Sequence, residues 1–238
     1  MFLKKIKNKD NLIILNGQLK YYQHTLSYWK KFSEINKCQF LIISQDFIHL
    51  KNSKKERINH NLLKRSLKNY TFIEIDSTID EYINLEIDIL ESSIQEHNSK
   101  FNQTHDLENY SPRNYLKRCF YRQLSTLYVI DKIIVPESLK AFKNILYARI
   151  DFRIYDSQDK FILKNGYLYD FDSRRDSLID SSEQQLFSLS SDLTIPNITN
   201  VHCFSISDFT YWCPFEILYK YLTAYINNFY KFSWPNNK

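Results

Sequence analysis

Leu12-Ile13-Ile14-Leu15, closed by Asn16-Gly17, is a short unbroken apolar run that ends in a turn pair. Four apolar residues without alternation, bounded in this way, read as a strand buried in a core that opens into a loop. Tyr22 to Phe32 then has helical character, and Gln39 to Ser44 (QFLIIS) is a second apolar strand ending at Gln45-Asp46. Strand, helix, strand is a βαβ unit, which predicts an α/β fold with a mostly parallel central sheet flanked by helices.

Outward from this unit, residues 51–68 are basic and polar, and Tyr70 to Ile75 (YTFIEI) has the β-branched and aromatic content of a third strand ending at Asp76. Residues 78–107 mix helical and polar character, with a loop expected around Asn98, Ser99, Asn102, Gln103 and Thr104. Ser111-Pro112 is a helix start, Ser as the cap and Pro at the first helical position. Leu116, Phe120, Leu124, Leu127 and Tyr128 then recur at helical spacing, so this helix is predicted to reach about residue 131. Asn144 to Ile150 (NILYARI) reads as a central strand ending at Asp151. Asn165-Gly166 marks a hairpin within Phe161 to Tyr169. Val201 to Ile206 reads as one further strand, and Pro214 to Tyr230 as a closing helix. No linker or repeat divides the chain, so one domain is expected over residues 1–238.

Apolar residues make up 43% and aromatics 16% of the chain, a load that disordered chains lack, so a packed core is expected. Cys38, Cys119, Cys203 and Cys213 form no CxxC pair and read as reduced thiols. The basic opening MFLKKIKNKD is followed by too few apolar residues for a signal-peptide core or a membrane span, which makes a cytoplasmic protein the expectation. A net charge of +5 favours anionic partners such as nucleotide phosphates or an anionic membrane surface; plain solubility is the alternative.

Several strands end in polar or acidic residues: Asn16-Gly17-Gln18, Gln45-Asp46, Asp76, Asp151 and Asp208. In an open α/β sheet, ligands bind beyond the carboxyl ends of the strands, although Asp is also an ordinary loop residue and helix cap. Gly17 is one of only two glycines, so it serves a close backbone approach to a ligand, a positive φ, or a plain turn. Neither GxGxxG nor GxxxxGK[ST] is present, which argues against standard dinucleotide-binding and P-loop enzymes. In Arg149-Ile150-Asp151-Phe152-Arg153, alternation would put Arg149, Asp151 and Arg153 on one side of an extended segment. There Asp151 suits a divalent cation on a diphosphate and the arginines suit phosphate oxygens; a structural Arg–Asp pair at a sheet edge is the other reading. Asp170-Phe171-Asp172 is a DxD triplet or a solvated loop. Arg118 and Arg122 share a helix face, as do Arg113 and Lys117, for phosphates or simply for water. The histidines have no metal-ligand spacing and no serine sits in a GxSxG elbow. Trp212 is either core or a stacking platform.

In order along the chain, these pieces resemble bacterial and viral capsule-type or lipopolysaccharide-type glycosyltransferases with a GT-A-like, Rossmann-like nucleotide-sugar fold. The resemblance rests on Gly17-Gln18-Leu19-Lys20 after the first strand, with Lys20 where the group has Arg, and on the aromatic and polar helix from Asn114 to Tyr128. It rests also on Arg149-Ile150-Asp151 and on Ser207-Asp208-Phe209-Thr210-Tyr211 before the last helix. It implies transfer of a sugar from a nucleotide-sugar donor to a glycan or other acceptor hydroxyl. Gly17, Gln18, Lys20, Arg118, Arg122, Arg149 and Asp151 would bind the donor. Asp151 would carry Mg²⁺ or Mn²⁺, and Asp208 would be the base or acceptor-orienting residue. Arg153 stands where many such enzymes have a second Asp, which puts metal dependence in doubt.

Two rival functions remain open at this level. A non-catalytic relative that binds a glycan or a partner fits the missing second carboxylate. A nucleic-acid binder would use basic and tyrosine side chains, but 32 basic against 27 acidic residues is too even to favour it, and no nucleic acid is expected as partner.

Overall fold

The computed structural model describes residues 1–19, 22–49, 54–100, 112–150, 152–155, 167–170, 187–188, 204–206 and 210–229. The first apolar run is strand β1 (Asn11–Asn16), followed by helix α1 (Tyr22–Ile35) and strand β2 (Cys38–Ser44). A short hairpin, β3 (Phe47–His49) and β4 (Lys55–Arg57), and helix α2 (His60–Ser66) lead to β5 (Tyr70–Glu74). Two long helices, α3 (Ser77–Lys100) and α4 (Pro112–Tyr128), and short α5 (Pro136–Lys140) precede β6 (Asn144–Ala148). Three strands follow, β7 (Phe152–Tyr155), β8 (Tyr167–Asp170) and β9 (Phe187–Ser188). The described part closes with β10 (Phe204–Ile206), β11 (Thr210–Cys213) and α6 (Phe215–Phe229).

The main sheet has the order β10-β11-β6-β1-β2-β5. Strands β5, β2, β1 and β6 are mutually parallel; at one end β11 runs antiparallel to β6, and β10 antiparallel to β11. This is a mixed α/β architecture with a mostly parallel sheet, compatible with a Rossmann-like fold. Every residue of β1, β2 and β6 is buried, which explains why their sequences are apolar runs rather than alternations. Leu12, Ile14, Leu41 and Ile43 belong to one core with the buried residues of α3, α4 and α6, while Ile13, Leu15, Phe40 and Ile42 belong to a second with Trp29 and Phe32 of α1. Edge strand β5 is only half-buried, as its mixed composition leads one to expect.

Three expectations change. The loop expected around Asn98 and Ser99 is instead the end of α3, a 24-residue helix whose Ile79, Ile83, Ile87 and Leu90 form one buried stripe; residues 102–104 lie outside the described residues. Strand β11 was not foreseen, and it carries Trp212, fully buried in the α1-side core rather than offered to a ligand. The third change concerns Arg149 to Arg153, which is not one extended segment. The chain turns at Ile150, so Arg149 follows β6 while Arg153 belongs to β7 in a different sheet. The turn is held from a distant part of the chain: Ile150 is buried, and its carbonyl accepts a 2.7 Å hydrogen bond from Trp29 Nε1 of α1. Asn165-Gly166 lies outside the described residues; β8 pairs with β7 on one side and β9 on the other. Helix α4 continues through one π-helical turn, Val129–Ile133, close to its expected end.

Cys38 and Cys213 are buried, and burial pushes the Cys38 thiol well up from its ordinary value. The reactive thiolate is therefore suppressed in the folded state. Because the folded value is the higher one, this group's contribution to stability is complete below the ordinary thiol range and declines as pH climbs above it. Site-resolved alkylation at pH 8 should leave both thiols unmodified until urea unfolds the chain; labelling of native protein at the rate of free cysteine would contradict the burial.

Trp29→Phe keeps most of the ring packing but strands the buried Ile150 carbonyl. The expected loss is about 1–3 kcal/mol in urea unfolding, against almost nothing if water takes over that acceptor.

Candidate functional site

Strands β2 and β5 lie on one side of β1 and β6 on the other, so the chain reverses direction across the sheet between β1 and β6. In open parallel sheets the carboxyl ends on either side of such a switch point frame the ligand crevice. Here those ends are Asn16-Gly17 and Ala148-Arg149.

Asn16 fixes the carboxyl end of β1 against α4. Its side chain is buried, and Nδ2 faces the Arg122 carbonyl at 2.8 Å, Ser125 Oγ at 3.0 Å and Thr126 Oγ1, all on α4. In return, Arg122 Nε donates to the Asn16 carbonyl at 3.0 Å. Arg122 thus reaches back over the strand end, and its guanidinium carbon lies 4.9 Å from the ring centroid of buried Tyr147 on β6. That distance is within cation–π range, so the cation is held against the ring face.

Gly17 follows with φ +113°, a conformation that L side chains rarely adopt. Of the three roles open for this glycine, positive φ is the one observed. A Cβ here would meet the Arg122 side chain at 3.5–3.6 Å, an ordinary contact, so backbone conformation rather than crowding demands glycine. Gln18 is exposed at the mouth and Leu19 is buried beneath it.

Gly17, Gln18, Arg122 and Arg149 of the expected donor-binding set therefore meet at or beside the switch point. Arg118 lies one turn earlier on α4, with its side chain outside the described residues. Lys20, Asp151 and Asp208 also lie outside them, as do Phe171 and Asp172 of the acidic triplet. Arg113 and Lys117 do not form a phosphate-facing surface: Arg113 pairs with Asp88 and Lys117 donates to Asn84 Oδ1 at 2.9 Å, both on α3. Two other strand-end carboxylates have protein partners. Asp76 caps α3, accepting from Ile79 N at 3.0 Å, and Asp46 holds His60 Nε2 at 2.5 Å. Among the described residues no three His, Cys, Asp or Glu side chains gather to hold a metal ion. Those residues alone do not make the cation site that the sequence suggested.

One strand away, Tyr121 of α4 donates to Asp80 Oδ1 at 2.7 Å and accepts from Gln45 Nε2 at 3.4 Å. Burial, then the Asp80 carboxylate, push its hydroxyl well above the ordinary range, so it stays a proton donor. Neither Tyr121 nor Tyr147 was singled out in the sequence. A signal existed for Tyr147, which stands two residues before Arg149 in an apolar strand; for Tyr121 there was none beyond its place beside Arg122.

Comparison of the chain with protein-family models, with curated proteins and with solved structures finds no match. No helix among the described residues is long and apolar enough to cross a membrane.

Gly17→Ala should destabilise the fold by about 1–3 kcal/mol through backbone strain. The same cost should appear in an Arg122→Ala background. If removing Arg122 relieves it, crowding rather than φ is the reason for the glycine.

Proposed function

We propose that the chain is a nucleotide-sugar-dependent glycosyltransferase of GT-A-like type, with the donor seated at the carboxyl ends of β1 and β6. The observation that supports this most is the meeting of Gly17 and Arg122, 105 positions apart in sequence, at the switch point, with Arg149 ending the neighbouring strand. An anionic, flat-faced ligand suits a glycine turn at a strand end with cationic side chains on both sides.

In this reading the nucleoside diphosphate lies across the Gly17 turn, its phosphates toward Arg149 and Lys20. An acceptor hydroxyl attacks the anomeric carbon, Asp208 takes its proton, and the bond to the diphosphate oxygen breaks as positive side chains stabilise the charge growing there. Arg122, bonded to the Asn16 carbonyl and stacked on Tyr147, acts chiefly by holding the turn in shape. No step passes through a metal ion; a cation on the diphosphate would fall to Asp151.

A second reading keeps the same strand ends for binding without turnover; the feature behind it is Arg153, which stands where many such enzymes have a second Asp.

The test is thermal stabilisation by UDP, GDP, CMP and dTDP and their sugar conjugates, with and without Mn²⁺. One nucleotide series should stabilise the chain, and Arg149→Ala should weaken that binding about ten- to hundredfold. Asp151→Ala and Asp208→Ala should stay folded and lose sugar transfer. Stabilisation without transfer in the unaltered chain selects the binding-only reading, and no response to any nucleotide removes the donor site.

A further inference from the structure

We propose that the amino-terminal edge of the sheet, opposite the candidate site, is a docking surface for an anionic lipid bilayer. Residues 1–10 run along this edge, tied to it at several points. Met1's carbonyl accepts from Val135 N at 3.1 Å, Gln39 Nε2 donates to the Lys4 carbonyl at 3.2 Å, and Ile6 N donates to Gln39 Oε1 at 2.8 Å. Lys143 N, just before β6, donates to the Asp10 carbonyl at 2.8 Å.

Between two such anchors, the bonded Met1 backbone and the buried Leu3, the Phe2 side chain is 72% exposed and Met1 58%. Two large apolar side chains are thus held outward by a pinned backbone. Around them stand the exposed lysines Lys4, Lys5, Lys7, Lys37, Lys132 and Lys143. The acidic side chains on this edge are fewer: Asp10 pairs with Lys5 at 3.8 Å, Glu137 with Lys140 at 3.9 Å, Asp131 accepts from the Tyr219 hydroxyl at 3.1 Å, and Glu34 is exposed. Asn8 and Lys37 hold positive φ, so the turns presenting these cations have a set shape.

A dissolved polyanion would satisfy the lysines and leave Met1 and Phe2 in water. An anionic bilayer takes both, headgroups for the lysines and the acyl boundary for the apolar pair. Strands β1 and β6 then point away from the lipid, which puts the Gly17 turn about 20 Å above it.

Co-sedimentation of the full chain with vesicles tests this directly. It should bind vesicles of equal parts phosphatidylcholine and phosphatidylglycerol and ignore pure phosphatidylcholine. Phe2→Ser should weaken binding about tenfold, and replacing Lys4, Lys5 and Lys7 together by Ser should weaken it on the order of a hundredfold. Because these side chains are exposed, melting temperatures should not move. The proposal is overturned if the mixed vesicles are not bound, if the chain binds heparin but no vesicle, or if binding is indifferent to Phe2 and to the three lysines.

Discussion

Asn16 is the point on which the described structure turns. β1 is paired on both sides by parallel strands and covered on both faces, so its backbone groups are satisfied by neighbours only as far as the strand lasts. At its end the chain must leave the sheet without stranding polar groups in a dry interior. Asn16 meets that need from both directions: its side chain serves the α4 backbone and hydroxyls, and its carbonyl is served by Arg122. The strand end and the middle of α4 are thereby locked together, and the Gly17 turn inherits a fixed position over the sheet.

The same logic repeats at the other end of the sheet, where β1 and β6 both begin with buried asparagine. Asn11 Nδ2 donates to the Asn36 carbonyl at 2.7 Å, and Asn144 Nδ2 lies 3.4 Å from Asn11 Oδ1. Amides suit these places because they offer donor and acceptor without a charge whose burial would cost far more. β1 is apolar inside and amide-capped at both ends, β6 at its start, and that composition belongs to a strand flanked on every side.

The parallel core was legible because both its strands and its helices carry strong local signals. LIIL and QFLIIS are runs that only a doubly covered strand tolerates, and the α4 stripe of Leu116, Phe120, Leu124 and Leu127 matches one buried helix face. What was not legible depended on distant partners. Nothing near Ile150 announces that Trp29, 121 positions earlier, holds its carbonyl and bends the chain, so alternation alone carried Arg149 through to Arg153. Likewise Arg122 and Arg118 looked equivalent on one helix face; what sets Arg122 apart is the Asn16 carbonyl and the Tyr147 ring, both supplied by other strands. The strand-end carboxylates stayed ambiguous for a related reason, since Asp76 and Asp46 have local structural uses that sequence does not separate from ligand binding.

The two long helices give the crevice a wall that the sheet alone would not supply. α4 meets the carboxyl end of β1 at residues 122–126, and its continuation meets the amino-terminal edge at Ile133, beside Met1. The eleven-residue span from Arg122 to Ile133 covers about 16 Å of helix, close to the length of the strands. The earlier part of α4, from Pro112 to Tyr121, has no sheet left to cross and continues past the carboxyl edge. α3 runs antiparallel to it along the rungs Asp80–Tyr121, Asn84–Lys117 and Asp88–Arg113. Those rungs are polar and lie beside the buried stripe of Ile83, Ile87 and Leu90, so the helical pair is held by its own contacts where it has outrun the sheet. α3 carries none of the residues on which the resemblance rests, yet it braces α4 beside the strand end, and a wall of this kind is specified by pairings between helices rather than by any short run of residues.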